Sequence, residues 1–123
     1  MKIRIHNDAI RLRLSQTEVN QLAKGIAIRE ELKFPAPYPA FVYALEIPDI
    51  GDKLTVSFLE GKLSINLPAS KIDNWANTDQ VGISETISLE DGANLQVLIE
   101  KDFQCLHKRP GENEKDNFPN PQA

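Results

Sequence analysis

The chain alternates polar and apolar residues in short runs separated by turn formers, a pattern that predicts strands. KIRIH (2–6) alternates, Asn7-Asp8-Ala9 is turn material, and IRLRL (10–14) alternates again. The same period of two returns in IAIREELKF (26–34), FVYALEI (41–47), KLTVSF (53–58), KLSINL (62–67), VGISETISL (81–89) and NLQVLIE (94–100). Two stretches break the period. SQTE predicts a capping box, with Ser15 as N-cap and Glu18 three residues on. Val19, Leu22 and Ala23 then line one face of a short helix that Gly25 closes. Pro68 starts a second helix whose Ile72, Trp75 and Ala76 fall where Val19, Leu22 and Ala23 fell. Glu60-Gly61 reads as a hairpin turn, and the proline-rich PAPYP (35–39) as a loop.

The order of these elements occurs twice. Residues 1–51 and 52–106 each read strand–strand–helix–strand–strand, and this agreement of turns, helices and strands points to an internal duplication. Coincidence is the competing reading, since any two β-rich segments share alternation. Four strands and one short helix bury too little apolar surface to stand alone, whereas two copies can cover each other. The expected fold is α+β: one domain over 1–106, with about eight antiparallel strands and two short helices. The strands form either a barrel, which removes exposed edges, or an open, strongly curved sheet with both helices on its apolar face. Residues 107–123 hold few apolar side chains and read as an extended tail, in which Phe118 either docks as a lone anchor or stays disordered.

Length supports this picture: 123 residues make one domain that buries roughly two-thirds of its unfolded surface. The net charge of −4 disfavours a general nucleic-acid surface. Charge is nevertheless uneven. Residues 1–51 carry seven Lys/Arg against six Asp/Glu, and residues 52–106 four against nine, so the first half is the better place for an anion site. The single cysteine, Cys105, cannot form an internal disulfide and suits a reducing cytoplasm. No apolar run approaches the roughly 18 residues of a membrane span, and the start has no signal-peptide h-region.

The candidate chemistry sits on strand faces. If Ile3, Ile5, Ile10, Leu12 and Leu14 face a core, then Lys2, Arg4, His6, Arg11 and Arg13 share the other face, and Arg29 is expected to join them. Directly opposed like charges destabilise a hairpin, so something should offset them: carboxylates on neighbouring strands (Glu31, Glu46 and Glu100 match by parity), water, or an anionic ligand. Arginine, with its planar fork of donors, suits a phosphate. A solvated outer face with snorkelling stems fits the same residues. Glu30 and Glu85 interrupt apolar parity at equivalent positions of the two halves. A β-bulge that turns both outward is one explanation, and a paired or ligand-binding carboxylate is the other. Cys105 and His107 form C-x-H, which is too few ligands for a metal site. No glycine-rich phosphate loop is present.

The opening MKIRI…IRLRLSQTEV and the closing LIEKDFQCL…DNFPNP resemble a small uncharacterised bacterial family, a resemblance that spans the whole chain and implies no activity. Counted from residue 10, the element order is also similar to the duplicated barrel of the CYTH-type triphosphate tunnel enzymes. That likeness implies triphosphate binding through lumenal Arg and Lys, with a divalent metal on Glu30, Glu46, Glu85 or Glu100. The Glu-x-Glu-x-Lys signature of those enzymes is replaced here by Lys2-Ile3-Arg4-Ile5-His6, without its metal-binding acids. The expected function is therefore a noncatalytic module without metal or cofactor, binding a small phosphate-bearing anion or a partner protein. The alternative is a metal-dependent triphosphate hydrolase.

Overall fold

The structure is a computed structural model and describes residues 1–49, 51–105 and 114–121. In chain order its elements are β1 (Lys2–His6), β2 (Ala9–Leu14), α1 (Gln16–Ala23), β3 (Ile28–Leu32), β4 (Phe41–Glu46), β5 (Thr55–Leu59), β6 (Lys62–Asn66), α2 (Ala69–Ala76), β7 (Gly82–Ser88) and β8 (Asn94–Lys101). The chain divides into two compact units. Residues 1–20 with 79–123 form the first, and residues 21–78 form the second. Neither helix is long and apolar enough to cross a membrane.

The strands do not close into one barrel. They form two four-stranded sheets, ordered β1-β2-β8-β7 in the first unit and β3-β4-β6-β5 in the second. Nor are they uniformly antiparallel. Each sheet has antiparallel outer pairs and a parallel central pair, β2 with β8 and β4 with β6. Short links favour antiparallel neighbours, and the hairpins obey this. The central pairs instead join strands far apart in sequence, which alternation cannot register. Each sheet takes two strands from residues 1–51 and two from 52–106, and both orders follow the same scheme: advancing β1-β2-β8-β7 by four strands, with the count wrapping round, gives β5-β6-β4-β3.

In the first unit, β2 buries Ile10, Leu12 and Leu14 and β8 buries Val97 and Ile99, while Ile83 of β7 joins them. The alternation that defines this face puts Arg11 and Arg13 on the opposite one. Ile5, at the far end of β1, remains exposed. In the second unit the middle of the sheet is covered on both faces. Leu45, Leu63 and Ile65 are buried on one and Val42, Ala44 and Ser64 on the other. Ile72 and Trp75 of α2 are buried there too.

The punctuation follows local chemistry. The Ser15 backbone N–H donates to Glu18 Oε1 at 3.0 Å, and the Glu18 N–H donates to Ser15 Oγ at 3.3 Å, which completes the reciprocal capping box. The Met1 ammonium also pairs with Glu18. At the other end of α1, Gly25 has φ +81°, and the Gly25 and Ile26 N–H groups donate to Leu22 and Gln21 carbonyls, a Schellman closure. The β5–β6 hairpin turns on Glu60 and Gly61, both at positive φ. This is the geometry of a type I′ turn, which prefers Asn-Gly.

Residues 114–121 dock beside the stretch that follows β8. Phe118 forms a parallel bridge with Phe103, donating its N–H to the Asp102 carbonyl and accepting from the Gln104 N–H, each at 2.8 Å. Its ring lies 6.0 Å from that of Phe103. The same segment caps α1. Gln16 N–H donates to the Asp116 carbonyl at 2.8 Å, Thr17 N–H to Asp116 Oδ1 at 3.3 Å, and Gln16 Nε2 to the Asn117 carbonyl at 2.9 Å. These partners satisfy amides that a helix start leaves open.

Two tests follow from this local geometry. Glu60→Asn is expected to raise stability by about 0.5–1 kcal/mol, because Asn tolerates the left-handed region better. Gly61→Ala should lower it by about 1–2 kcal/mol, since φ is +79° and a Cβ would meet the Ala40 carbonyl oxygen at 3.1 Å; denaturant titration reads both. Hydrogen bonds, led by that from the Thr17 hydroxyl, hold the Asp116 carboxyl below its ordinary value of 3.8. A folded value lowered in this way contributes stability above the unfolded value and loses it as pH falls through the folded one. Hydrogen-exchange protection at Gln16 and Thr17, taken relative to the intrinsic rate at each pH, should therefore fall below pH 3.8 in the parent. In Asp116→Ala it should be lower already at pH 6.

Candidate functional site

The outer face of the first sheet is ordered in rows that run across the strands. One row reads Lys2, Arg13, Glu100, Gly82; the next reads Arg4, Arg11, Leu98, Ser84; the third reads His6, Ala9, Gln96, Thr86. Lys2 therefore opposes Arg13 and Arg4 opposes Arg11, two directly facing pairs of like charge. Such pairs destabilise a hairpin. Four of the five cations expected on one face are brought together. The fifth, Arg29, is on β3 of the other sheet, where it pairs with Glu31 at 3.2 Å. Parity alone could not show that β3 leaves the sheet of β1 and β2.

Carboxylates offset only part of this charge. Glu100 takes a two-pronged bond from Arg11, through Nε and, at 3.3 Å, through Nη2. Glu100 thus reaches past its register neighbour Arg13. Gly82 makes room for it, since a Cβ at that position would sit 3.0 Å from Glu100 Cγ and 2.9 Å from the Ile99 carbonyl oxygen. Lys2 pairs with Asp102 at 3.0 Å. Arg4 and Arg13 have no carboxylate partner among the described residues, and both are exposed. Four cations and two carboxylates leave the face with an excess of positive charge.

The face is hollowed where the cations meet. A depression of about 70 Å³ is lined by Lys2, Ile3, Arg4, Arg11 and Arg13, so all four cations border one small space. On one side it adjoins a hollow of about 330 Å³ bordered by Arg4, His6, Ala9, Arg11 and Leu98. On the other side lies a cavity of about 410 Å³, where Lys2, Arg11 and Arg13 are joined by residues at the end of β8 and in the docked C-terminal segment. This third wall was not legible as a site in the sequence. The only signal was Phe118, the apolar residue that anchors it.

The remaining candidates lie elsewhere. Glu85 opposes Val97 and Glu30 opposes Tyr43 in ladders paired residue for residue, so no bulge turns them outward. Each shares a face with core residues and is half-buried. By parity Glu85 and Glu100 are on opposite faces of the first sheet, and Glu30 and Glu46 on opposite faces of the second. Glu46 pairs with Lys62 at 3.3 Å, and its carboxyl is held below its ordinary value by the Ser64 hydroxyl first and the Lys62 ammonium after it. Lys101, on the core face of β8, is buried, with its ammonium 5.5 Å from the centre of the Phe118 ring. Burial pushes its pKa down, and Asp79 opposes the shift. Cys105 borders the cavity of about 410 Å³, and its N–H donates to Glu114 Oε2 at 3.0 Å. His107 lies outside the described residues. Among the described residues no three His, Cys, Asp or Glu side chains are grouped to hold a metal.

Comparison with known proteins gives this geometry a family without giving it a role. No curated protein and no solved structure matches the chain. The model of one family does match, over residues 1–122, and the chain belongs to it: a family of unknown function, DUF7009.

Proposed function

We propose that the outer face of β1 and β2 is a noncatalytic binding site for a small phosphate-bearing anion, held by Lys2, Arg4, Arg11 and Arg13. The observation that carries this reading is the pair of opposed like-charge rows around a single depression, with Arg4 and Arg13 lacking acid partners among the described residues. A face meant only for solvent gains nothing from stacking cations in this way. The second sheet provides an internal contrast, for Arg29 and Lys62 on its polar face are each paired with a carboxylate. The parallel between the two strand orders also supports the reading of an internal duplication, in which one copy kept balanced charge and the other did not.

The hydrolase alternative asks for carboxylates that converge on the bound phosphate through a metal. Within each unit the two candidate acids occupy opposite faces, and Glu100 is engaged by Arg11. The binding module is therefore the better-supported reading. A partner protein presenting a phosphate group would use the same cations.

Thermal unfolding tests it. Inorganic phosphate or tripolyphosphate should raise the melting temperature more than sulfate does at matched ionic strength, by about 10 °C at a hundredfold excess over Kd. Arg4→Gln with Arg13→Gln should abolish the rise. Neither replacement strands a partner acid, so the ligand-free double variant should be as stable as the parent or more so by some tenths of a kcal/mol. No shift with any phosphate, or the same shift in the double variant, would return the face to ordinary surface. Phosphate release that requires Mg²⁺ or Mn²⁺ would favour the hydrolase.

A further inference from the structure

The cavity of about 410 Å³ beside the four cations has a second character. Its far wall comes from the docked C-terminal segment, including Asn117 and Asn120, and from Gln104, which follows β8. Asn117 is the informative member. Its backbone is fixed on both sides: its N–H donates to the Glu114 carbonyl at 3.0 Å, and its carbonyl accepts from Gln16 Nε2 at 2.9 Å. The residue is only 7% exposed and borders this cavity. Its carboxamide nevertheless has no hydrogen-bond partner among the described residues. A carboxamide offers two donors and two acceptor lone pairs, and since no buried side-chain N or O among the described residues lacks a partner, those of Asn117 remain accessible where the residue borders the cavity. The same wall carries Glu100, Asp102 and Glu114. Glu100 is bonded by Arg11, Asp102 by Lys2 and Glu114 by the Cys105 N–H, and a carboxylate has lone pairs enough to accept further hydrogen bonds.

Resting on the anion site proposed above, we infer that the ligand is a monophosphate ester of a polyhydroxylated group such as a sugar, and that Asn117 is a specificity residue for that group. The phosphate sits among Lys2, Arg4, Arg11 and Arg13. The ester group extends under the C-terminal segment, where its hydroxyls donate to the carboxylates and both donate to and accept from the Asn117 carboxamide. An apolar substituent would instead favour the opposite hollow, whose floor includes Leu98 and Ala9.

Calorimetric titration of the full chain with inorganic phosphate, propyl phosphate and ribose 5-phosphate distinguishes these outcomes. Ribose 5-phosphate should bind about tenfold or more tighter than propyl phosphate, the yield of one or two net hydrogen bonds. In Asn117→Ala that ratio should fall to within about twofold, since both donors and both acceptors are gone. Should the variant fail to fold, as read by circular dichroism, the ligand series on the parent protein decides alone. Equal binding of the two esters, or tighter binding of propyl phosphate, overturns this inference and leaves the anion site standing, provided that inorganic phosphate binds. Failure of all three ligands overturns both. A folded Asn117→Ala that keeps the parent's ratio removes Asn117 from the selection.

Discussion

The parallel ladder between β2 and β8 is the constraint on which the first unit depends. It pairs residues 9–14 with residues 96–101, strands from opposite ends of the chain, and it sets the register of every row on the sheet. A one-residue slip of β2 along β8 would turn Leu12 and Leu14 outward and Arg11 and Arg13 inward. The cost of burying those charges holds the register as firmly as the gain from burying the aliphatic groups. Core and charged face are thus two consequences of one alignment. The ladder also carries the chain on to Phe103, where the Phe118 bridge continues the sheet and delivers the C-terminal segment to both the cavity and the start of α1.

The two sheets answer the same electrostatic problem differently. On the second, each cation of the polar face meets a carboxylate within 3.3 Å, and the central positions carry small hydroxyl side chains, Ser57 opposite Ser64. On the first, the carboxylate that could have neutralised Arg13 is held by Arg11 instead, and Gly82 leaves the space that this reach needs. The result is a field concentrated over β1 and β2, away from the polar but uncharged outer residues of β7.

Much of the local structure was legible in the sequence because its signals are local. KIRIH, the SQTE capping box, Gly25 and Glu60-Gly61 act within a few residues, and each occurs where alternation and turn chemistry place it. Strand partnership is a different kind of information. Period two says which face a residue takes but not which strand lies alongside, so Arg29 had the right parity and the wrong sheet, and two parallel pairs were read as antiparallel. For Glu30 and Glu85 the bulge explanation failed for a related reason. A half-exposed position toward a sheet edge can hold a carboxylate on the apolar face without a bulge, and exposure is not encoded in parity. Four cations of the candidate site were visible as alternation. Asn117 was not, because its position beside the cavity depends on a segment without periodicity that docks at the end of β8.

The second unit interrupts the first, and this gives the basic hairpin a history. A ribosome makes residues 1–14 early and adds residues 15–93 before the strand that completes their sheet is begun. At ordinary elongation rates that interval is on the order of ten seconds. Until that strand is made, a β1–β2 hairpin has an unpaired backbone edge at β2, the kind of edge that recruits another chain. Neighbouring ribosomes on one message hold copies of the same hairpin side by side. Rows of lysine and arginine on two such hairpins repel each other, so the charge that burdens the finished hairpin works against pairing between unfinished copies.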